Sequence, residues 1–444
     1  MAKSETPDQR LARLLASDLS FQGTDRLAHP LHALHPFAAR FPHGLPGYFI
    51  DALTDPGDTV LDPMCGSGIT LLEGWTTGRS VIGVDLDPLA RRQARARTTA
   101  LRGAEVRRAG EAALRQTADL MAGLGAHGDP LQTVKSEMDP ATREFLDYWF
   151  LPETQLELAC LTLAIREEPD DDLRNLLEVI FSSTIVTKSG GVSRARDLAH
   201  TRPHRVSDKV PRRPIPLFAN LVERAAAAYS GTDANAVGDR RIIDGDARSL
   251  PLPHCSIDLI VTSPPYANAL DYMRAHKFSL AWLGDPIPSL TELRRKYIGS
   301  ESVGNKTTAA PTAQLPATVE AVVMRVGEVD ATKSRVLRRY FADMSASLSE
   351  MQRVLRLGSA AVIVVGPSTM RGILVPTHEC LADLAEQAGL DVVGVAPRNL
   401  DRDRRMMPAR NASGPSAANA DATGIERRMH TEYVIGAIKP RRLR

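Results

Sequence analysis

Asp258-Leu-Ile-Val-Thr-Ser-Pro-Pro-Tyr266 joins a short apolar, β-branched run to a turn that cannot continue it. The run has the pattern of a buried strand. Pro264 and Pro265 then remove two backbone donors and fix φ, so the chain leaves the sheet in a stiff, extended turn. A rigid loop at the carboxyl end of a buried strand is where open α/β sheets carry their chemistry. Ser263 offers a hydroxyl, the loop carbonyls are free to accept, and Tyr266 presents a flat aromatic face. Such a set can grip an exocyclic amino group while the ring stacks on its base. A plain strand-ending turn with a surface tyrosine is the simpler reading, and the neighbouring motifs decide between the two.

Upstream, Thr59-Val-Leu-Asp-Pro-Met-Cys-Gly-Ser-Gly-Ile-Thr70 reads as a strand, a small-residue turn and the start of a helix that Gly78 stops. Ser80-Val-Ile-Gly-Val-Asp-Leu-Asp87 is the next strand, and Pro88 begins another helix. In such a βαβ unit the glycines let a ligand approach the backbone, and the acid ending the second strand, here Asp85, binds ribose hydroxyls. A dinucleotide oxidoreductase shares the spacing from Gly66 and Gly68 to Asp85, but Leu71 stands where the third glycine of its fingerprint belongs. Asp62, just before the turn, would also repel a pyrophosphate. It suits a cationic amino group, which S-adenosylmethionine carries and NAD lacks.

Downstream, Arg241-Ile-Ile-Asp-Gly-Asp246 returns the chain to the sheet, and Asp246 at the strand end could accept from an adenine amino group. A helix is expected within residues 267–284, a mixed and partly flexible segment over 286–330, and an amphipathic helix over 335–355. Strands follow at 360–366, 390–396 and 432–438, with a helix at 380–388 and an arginine-rich loop over 398–428. Alternating strands and helices predict an α/β fold with a doubly wound, largely parallel sheet. The division expected is 1–103 as the first part of a catalytic domain, 104–236 as a mainly helical insert, and 237–444 as the second part.

Within the insert, the run from Lys188 to Arg213 holds Arg194, Arg196, Arg202 and Arg205 among prolines and glycines with no hydrophobic period. It reads as an exposed basic loop. A solvated charge run is one explanation, and the neighbouring Ser, Thr and His residues tilt the reading toward phosphate contact, as does Lys277 further on. The net charge of +2 over 444 residues means that nucleic-acid affinity has to come from a local patch. Apolar content of 43% and charge of 24% are those of a globular protein, and no apolar run approaches the roughly 20 residues that span a bilayer. Cys65, Cys160, Cys255 and Cys380 form no paired spacing, which argues against a zinc site or disulfide frame and for a reducing cytoplasm. The histidines at 29, 32 and 35 lack a fourth ligand of fitting spacing, so no metal is expected.

Taken together, Asp62-Pro-Met-Cys-Gly-Ser-Gly68, Asp85-Leu-Asp-Pro88, Gly245-Asp-Ala247 and Thr262-Ser-Pro-Pro-Tyr266 resemble the amino-group DNA methyltransferases. The Ser-Pro-Pro-Tyr form is the one associated with cytosine N4, whereas adenine N6 enzymes more often carry Asp-Pro-Pro-Tyr. His35-Pro-Phe-Ala-Ala-Arg-Phe-Pro42 looks like that family's amino-terminal cofactor motif. The resemblance covers roughly residues 29–100 and 240–440. It implies S-adenosyl-L-methionine as cofactor, held by His35, Phe37, Phe41, Asp62, Pro63, Gly66, Ser67, Gly68, Asp85, Leu86, Asp246 and Ala247. It implies Ser263, Pro264, Pro265 and Tyr266 as the catalytic loop, duplex DNA as substrate, and a cognate restriction endonuclease as a candidate partner. The insert precedes the Gly-Asp-Ala element, whereas family members with a large recognition domain usually place it after. Despite that departure, residues 104–236 are kept as a candidate recognition region. Cys65 is expected to pack.

The chemistry follows from the target. An exocyclic amine conjugated into a ring is a poor nucleophile, so acceptors must orient its lone pair for direct in-line transfer. The base has to be flipped out of the duplex. A carbon-5 cytosine enzyme would need a thiolate, usually after a proline, and none of the four cysteines follows one. An adenine-N6 enzyme, an RNA amino-methyltransferase and a non-catalytic cofactor-binding DNA recognition protein remain as alternatives.

Overall fold

The computed structural model describes residues 5–21, 29–36, 41–125, 128–187, 191–196, 198, 203–231, 238–267, 271–300, 314–400 and 431–441. Phe37, Arg202 and the expected loop beyond residue 400 lie outside them. The strands are β1 (Thr59–Asp62), β2 (Ser80–Asp85), β3 (Arg240–Asp244), β4 (Ile257–Thr262), β5 (Leu355–Val365), β6 (Ser368–Met370), β7 (Ile373–Val375), β8 (Asp391–Asn399) and β9 (Thr431–Ile438). All but β6 and β7 form one sheet in the order β3-β2-β1-β4-β5-β9-β8. β9 runs antiparallel to both its neighbours, and the other pairings are parallel.

Alternation along the strands builds a core on each face. Val60, Val81, Leu259, Val261 and Val362 point one way into a cluster shared with the amino-terminal helices and the insert. Their neighbours Leu61, Val84, Ile260, Ala361 and Ile363 point the other way, onto the helices Ala317–Val329, Ala331–Val354 and Thr377–Gln387. The fold is the doubly wound, mostly parallel sheet expected.

The insert forms the helices Gly103–Ala122, Pro130–Ser136, Pro140–Trp149, Pro152–Arg166, Asp171–Ile185 and Pro214–Tyr229. Its Leu158, Ile180 and Phe218 are fully buried in the same cluster as Val60 of β1. Gly110 shows how tightly it packs, since a Cβ there would sit 2.2 Å from Val222 Cγ1. Ion pairs Arg92–Glu178 (2.8 Å), Arg95–Asp172 (2.7 Å) and Arg240–Asp172 (2.6 Å) tie the insert to β3 and to the helix Pro88–Arg97.

Two segments differ from the sequence expectation. The mixed stretch 286–330 contains helices at Ile287–Lys296 and Ala317–Val329. The first starts where proline sets φ for a helix, and its Ile287 N–H donates to Thr142 Oγ1 at 2.9 Å. The second buries Val319, Val322, Val323 and Val326, one stripe at helical spacing. The basic stretch is no simple exposed loop. Ala195 and Arg205 form an antiparallel bridge, and Arg196 N–H donates to the His204 carbonyl at 2.9 Å. Val192, Ser193, Ala195 and Leu198 are buried beneath it.

Candidate active site

In this strand order the chain turns outward in both directions from the β1–β4 pair, which makes the carboxyl ends of those strands the topological switch point. Asp62 ends β1 and Thr262 ends β4. The Thr262 hydroxyl donates to Asp62 Oδ1 at 2.7 Å, so cofactor turn and target loop meet in one buried hydrogen bond. Burial pushes the Asp62 carboxyl up to about 7, against the pull of Thr262 and of the Met64 N–H.

The turn that follows is built on left-handed backbone: Gly66 has φ of 47° and Gly68 of 81°. A Cβ on Gly68 would lie 2.7 Å from Ala94 Cα, so the turn seats directly on the helix Pro88–Arg97. Asp85 accepts from the Gly66 N–H and from the Asp87 N–H, both at 2.8 Å. Burial, and then the neighbouring Asp87 charge, raise its carboxyl to about 6. Ser67 is buried, and its carbonyl accepts from Arg97, itself fully buried, at 2.5 Å. Pro63 is buried beside Asp62, and Arg91 caps the Asp85 and Leu86 carbonyls at 2.9 and 2.8 Å.

Asp246 is gripped by Arg248, whose Nη2 lies 2.6 Å from Oδ2 and whose Nη1 reaches Asp343 at 2.7 Å. Burial works against the Asp246 charge, but this contact with Arg248 outweighs it and holds the carboxyl below its ordinary range. Ala247 is buried alongside. His35 is fully buried, and its described contact runs to Ser182 of the insert, Nε2 to Oγ 2.9 Å. Phe41 is partly buried against the insert-side core.

Ser263 and Tyr266 are partly exposed at the end of β4, with Pro264 buried between them and Pro265 partly exposed. The Tyr266 hydroxyl donates to Glu432 Oε1 at 2.7 Å. Burial and then Glu432 push its phenol far above the ordinary value, with the Ser263 hydroxyl working the other way. Behind the loop, His276 Nδ1 lies 2.6 Å from Asp87 Oδ2 in a buried pair. Tyr272 is raised to about 12 by burial and by the Asp85 charge.

The expected DNA contacts group on the insert side. Arg196 and Arg205 are exposed on the small hairpin, and Arg205 stacks over Tyr148 at 4.5 Å. Arg194 is spent locally, donating to the Ser207 carbonyl at 3.2 Å and anchored through its N–H to the Trp149 carbonyl at 2.8 Å. Trp149 packs edge-on against Phe278, and Lys277, next in the chain, lies 5.0 Å above the Phe145 ring. The hairpin thus shares an aromatic cluster with the helix Met273–Leu280 that follows the target loop.

Thr262, Arg97, His276, Glu432 and Arg398 escaped the reading of the sequence as site residues. Thr262 stood next to the loop, but its partner lies 200 residues away.

A family model described as DNA methylase, of the N6/N4 methyltransferase type, matches residues 18–95. Over those residues the chain is similar to the amino-group DNA methylases. The Type II methyltransferase M.MvaI of Kocuria varians is 23% identical over 382 residues, 82% of each chain. M.MjaII of Methanocaldococcus jannaschii is 33% identical over 84 residues, 18% of this chain and 16% of its own. M.AvaI of a Nostoc species is 28% identical over 152 residues, 30% and 31% of the two chains. The cofactor that these similarities support is S-adenosyl-L-methionine. The residues fit it: Asp62 is a buried carboxyl that would accept from an ammonium, Gly66 and Gly68 add no side chain to the turn, and Asp85 ends β2 where it would accept from ribose hydroxyls. Among the described residues no group of three His, Cys, Asp or Glu could hold a metal, and no helix is long and apolar enough to cross a membrane.

Proposed function

We propose that the chain methylates the exocyclic N4 of cytosine in duplex DNA, as the modification enzyme of a Type II system. The observation that carries this reading is the Ser263-Pro-Pro-Tyr266 loop, standing at the switch point and joined to the cofactor turn through the Thr262–Asp62 hydrogen bond. The bound cofactor supplies an electrophilic methyl group on a sulfonium. Ser263 and the loop carbonyls accept from the amino group and turn its lone pair toward that methyl, while Tyr266 stacks on the flipped base. Asp62, Asp85 and the glycine turn hold the methionine and ribose ends, and Asp246 with Ala247 flanks the adenine. Serine in place of the acid more usual in adenine-N6 enzymes favours cytosine.

On the DNA side, the exposed Arg196 and Arg205 together with Lys277 form the phosphate-contacting flank, and the insert acts as the recognition region. Supporting this, Trp149, whose carbonyl accepts from the Arg194 N–H of the hairpin, packs against Phe278 of the helix after the target loop, 4.9 Å between ring centroids. Transfer of a labelled methyl group to duplex DNA tests the assignment. The parent is expected to turn over, and Tyr266→Ala to lose most of that turnover while binding cofactor with unchanged affinity by calorimetry. Parental turnover in Tyr266→Ala would remove the loop from the chemistry.

A further inference from the structure

The target tyrosine is held from β9, two strands away from β4 in the sheet order. Glu432 is the second residue of β9 and stands opposite Arg398 of β8 in the strand register. One carboxylate oxygen accepts from the Tyr266 hydroxyl at 2.7 Å, and the other from Arg398 Nη1 at 2.6 Å. The Arg398 side chain is 2% exposed and that of Glu432 12%, so both charges are withdrawn from water. Arg398 is anchored in turn, its Nε donating to the Leu19 carbonyl at 2.8 Å and its Nη2 to the Ser20 carbonyl at 3.4 Å. A buried ion pair is a costly way to stabilise a fold, since well-packed apolar residues do as well or better. What this pair supplies is an acceptor fixed in direction at the tip of a flat ring.

We propose that Glu432, braced by Arg398, is a positioning residue that sets the orientation of the Tyr266 ring for the flipped base. The assignment rests on the proposed function, since it gives a purpose to a ring whose stacking role that reading supplies. Stacking needs the ring face in one plane, and a tyrosine at a loop end otherwise rotates about its side-chain torsions. The brace fixes that plane before DNA arrives, so its loss is paid in the reactive complex rather than in cofactor binding.

The test uses the full-length protein and Tyr266→Phe, Glu432→Ala and the double variant. Tyr266→Phe keeps the ring and loses only the hydroxyl, so it leaves the fold in place. Each single variant is expected to lower kcat by on the order of tenfold, the scale of one lost hydrogen bond to a charged group. Cofactor affinity should be unchanged, and the double variant no slower than Glu432→Ala alone, because both changes cut the same contact. Glu432→Gln, which keeps an acceptor oxygen, should recover part of the loss. Fluorotyrosine NMR reads the brace without turnover: the Tyr266 resonance, assigned by its loss in Tyr266→Phe, should move in Glu432→Ala. Parental kcat in Tyr266→Phe, multiplying effects in the double variant, or a Tyr266 resonance unmoved in Glu432→Ala would each overturn the assignment. A parent that transfers no methyl group to DNA, with the resonance still moving, overturns the proposed function and leaves Glu432 holding the ring.

Discussion

With Asp62 as the proposed partner of the cofactor's amino group, cofactor binding should depend on pH. The Asp62 carboxyl is raised to about 7 by burial, so the folded protein keeps a proton that the unfolded chain releases at lower pH. The sign for stability is therefore negative as pH rises: this group's contribution is lost between its unfolded value, about 4, and about 7. A cationic amino group needs the ionised acid, so cofactor affinity should rise between about pH 6 and 8. Calorimetry on Asp62→Asn should find weaker binding with a flatter profile over that range, and an unchanged slope would exclude Asp62 as the titrating group. Asp85→Ala should weaken cofactor binding by about 1–3 kcal/mol, the scale of a lost charged hydrogen bond. It should also lower the melting temperature, because the same carboxylate ties down the Gly66 and Asp87 N–H groups. Unchanged affinity would remove Asp85 from the site. Cys65 is buried and its thiol is pushed upward by that burial, so Cys65→Ser should keep much of its turnover. At this scale the acids and glycines were legible, since their chemistry is local to a short motif. The bonds they make were not, because Thr262, Arg97, His276 and Glu432 reach the site from distant parts of the chain.

Among the elements, the glycine turn and the basic hairpin carry the sharpest expectations. Gly68→Ala combines a left-handed φ of 81° with a Cβ 2.7 Å from Ala94 Cα. It should cost about 1–3 kcal/mol of stability, read by thermal unfolding. A melting temperature equal to the parent's would mean that the turn rearranges freely. In the hairpin, Lys209 is turned inward, its Nζ donating to the Ser193 and Ala195 carbonyls at 2.7 and 2.6 Å. Arg196 and Arg205 are exposed, and the proposed reading has them face phosphate. If both do, DNA affinity should fall with salt at a log–log slope of about −0.9 per contact. Arg196→Ala with Arg205→Ala should flatten that slope and weaken all duplex sequences alike. An unchanged slope would make this hairpin a solvated surface. Prolines, glycines and missing apolar period made the segment read as loop. Its order comes from buried Val192 and Ala195 and from an inward lysine, and side-chain direction leaves no trace in a charge count. The helix Ala317–Val329 was legible in principle from its valine stripe, but small polar residues upstream made the whole segment look irregular.

For the molecule as a whole, strand order sets where the topological switch point lies, and the sheet was readable from its apolar runs. The expected division at 103/104 and 236/237 rests on a change of sequence pattern alone, and in the structure a single core joins Val60 of the sheet to Phe218 of the helical segment. That continuity packs the helices of residues 103–229 against one face of the sheet, with Trp149 beside the helix Met273–Leu280. Which amine receives the methyl group rests on the Ser263 loop, and nucleoside mass spectrometry of DNA from cells expressing the parent and Tyr266→Ala tests it most directly. N4-methylcytosine is expected with the parent and absent with the variant. N6-methyladenine or 5-methylcytosine as the modified nucleoside, or no modified base at all, would contradict it.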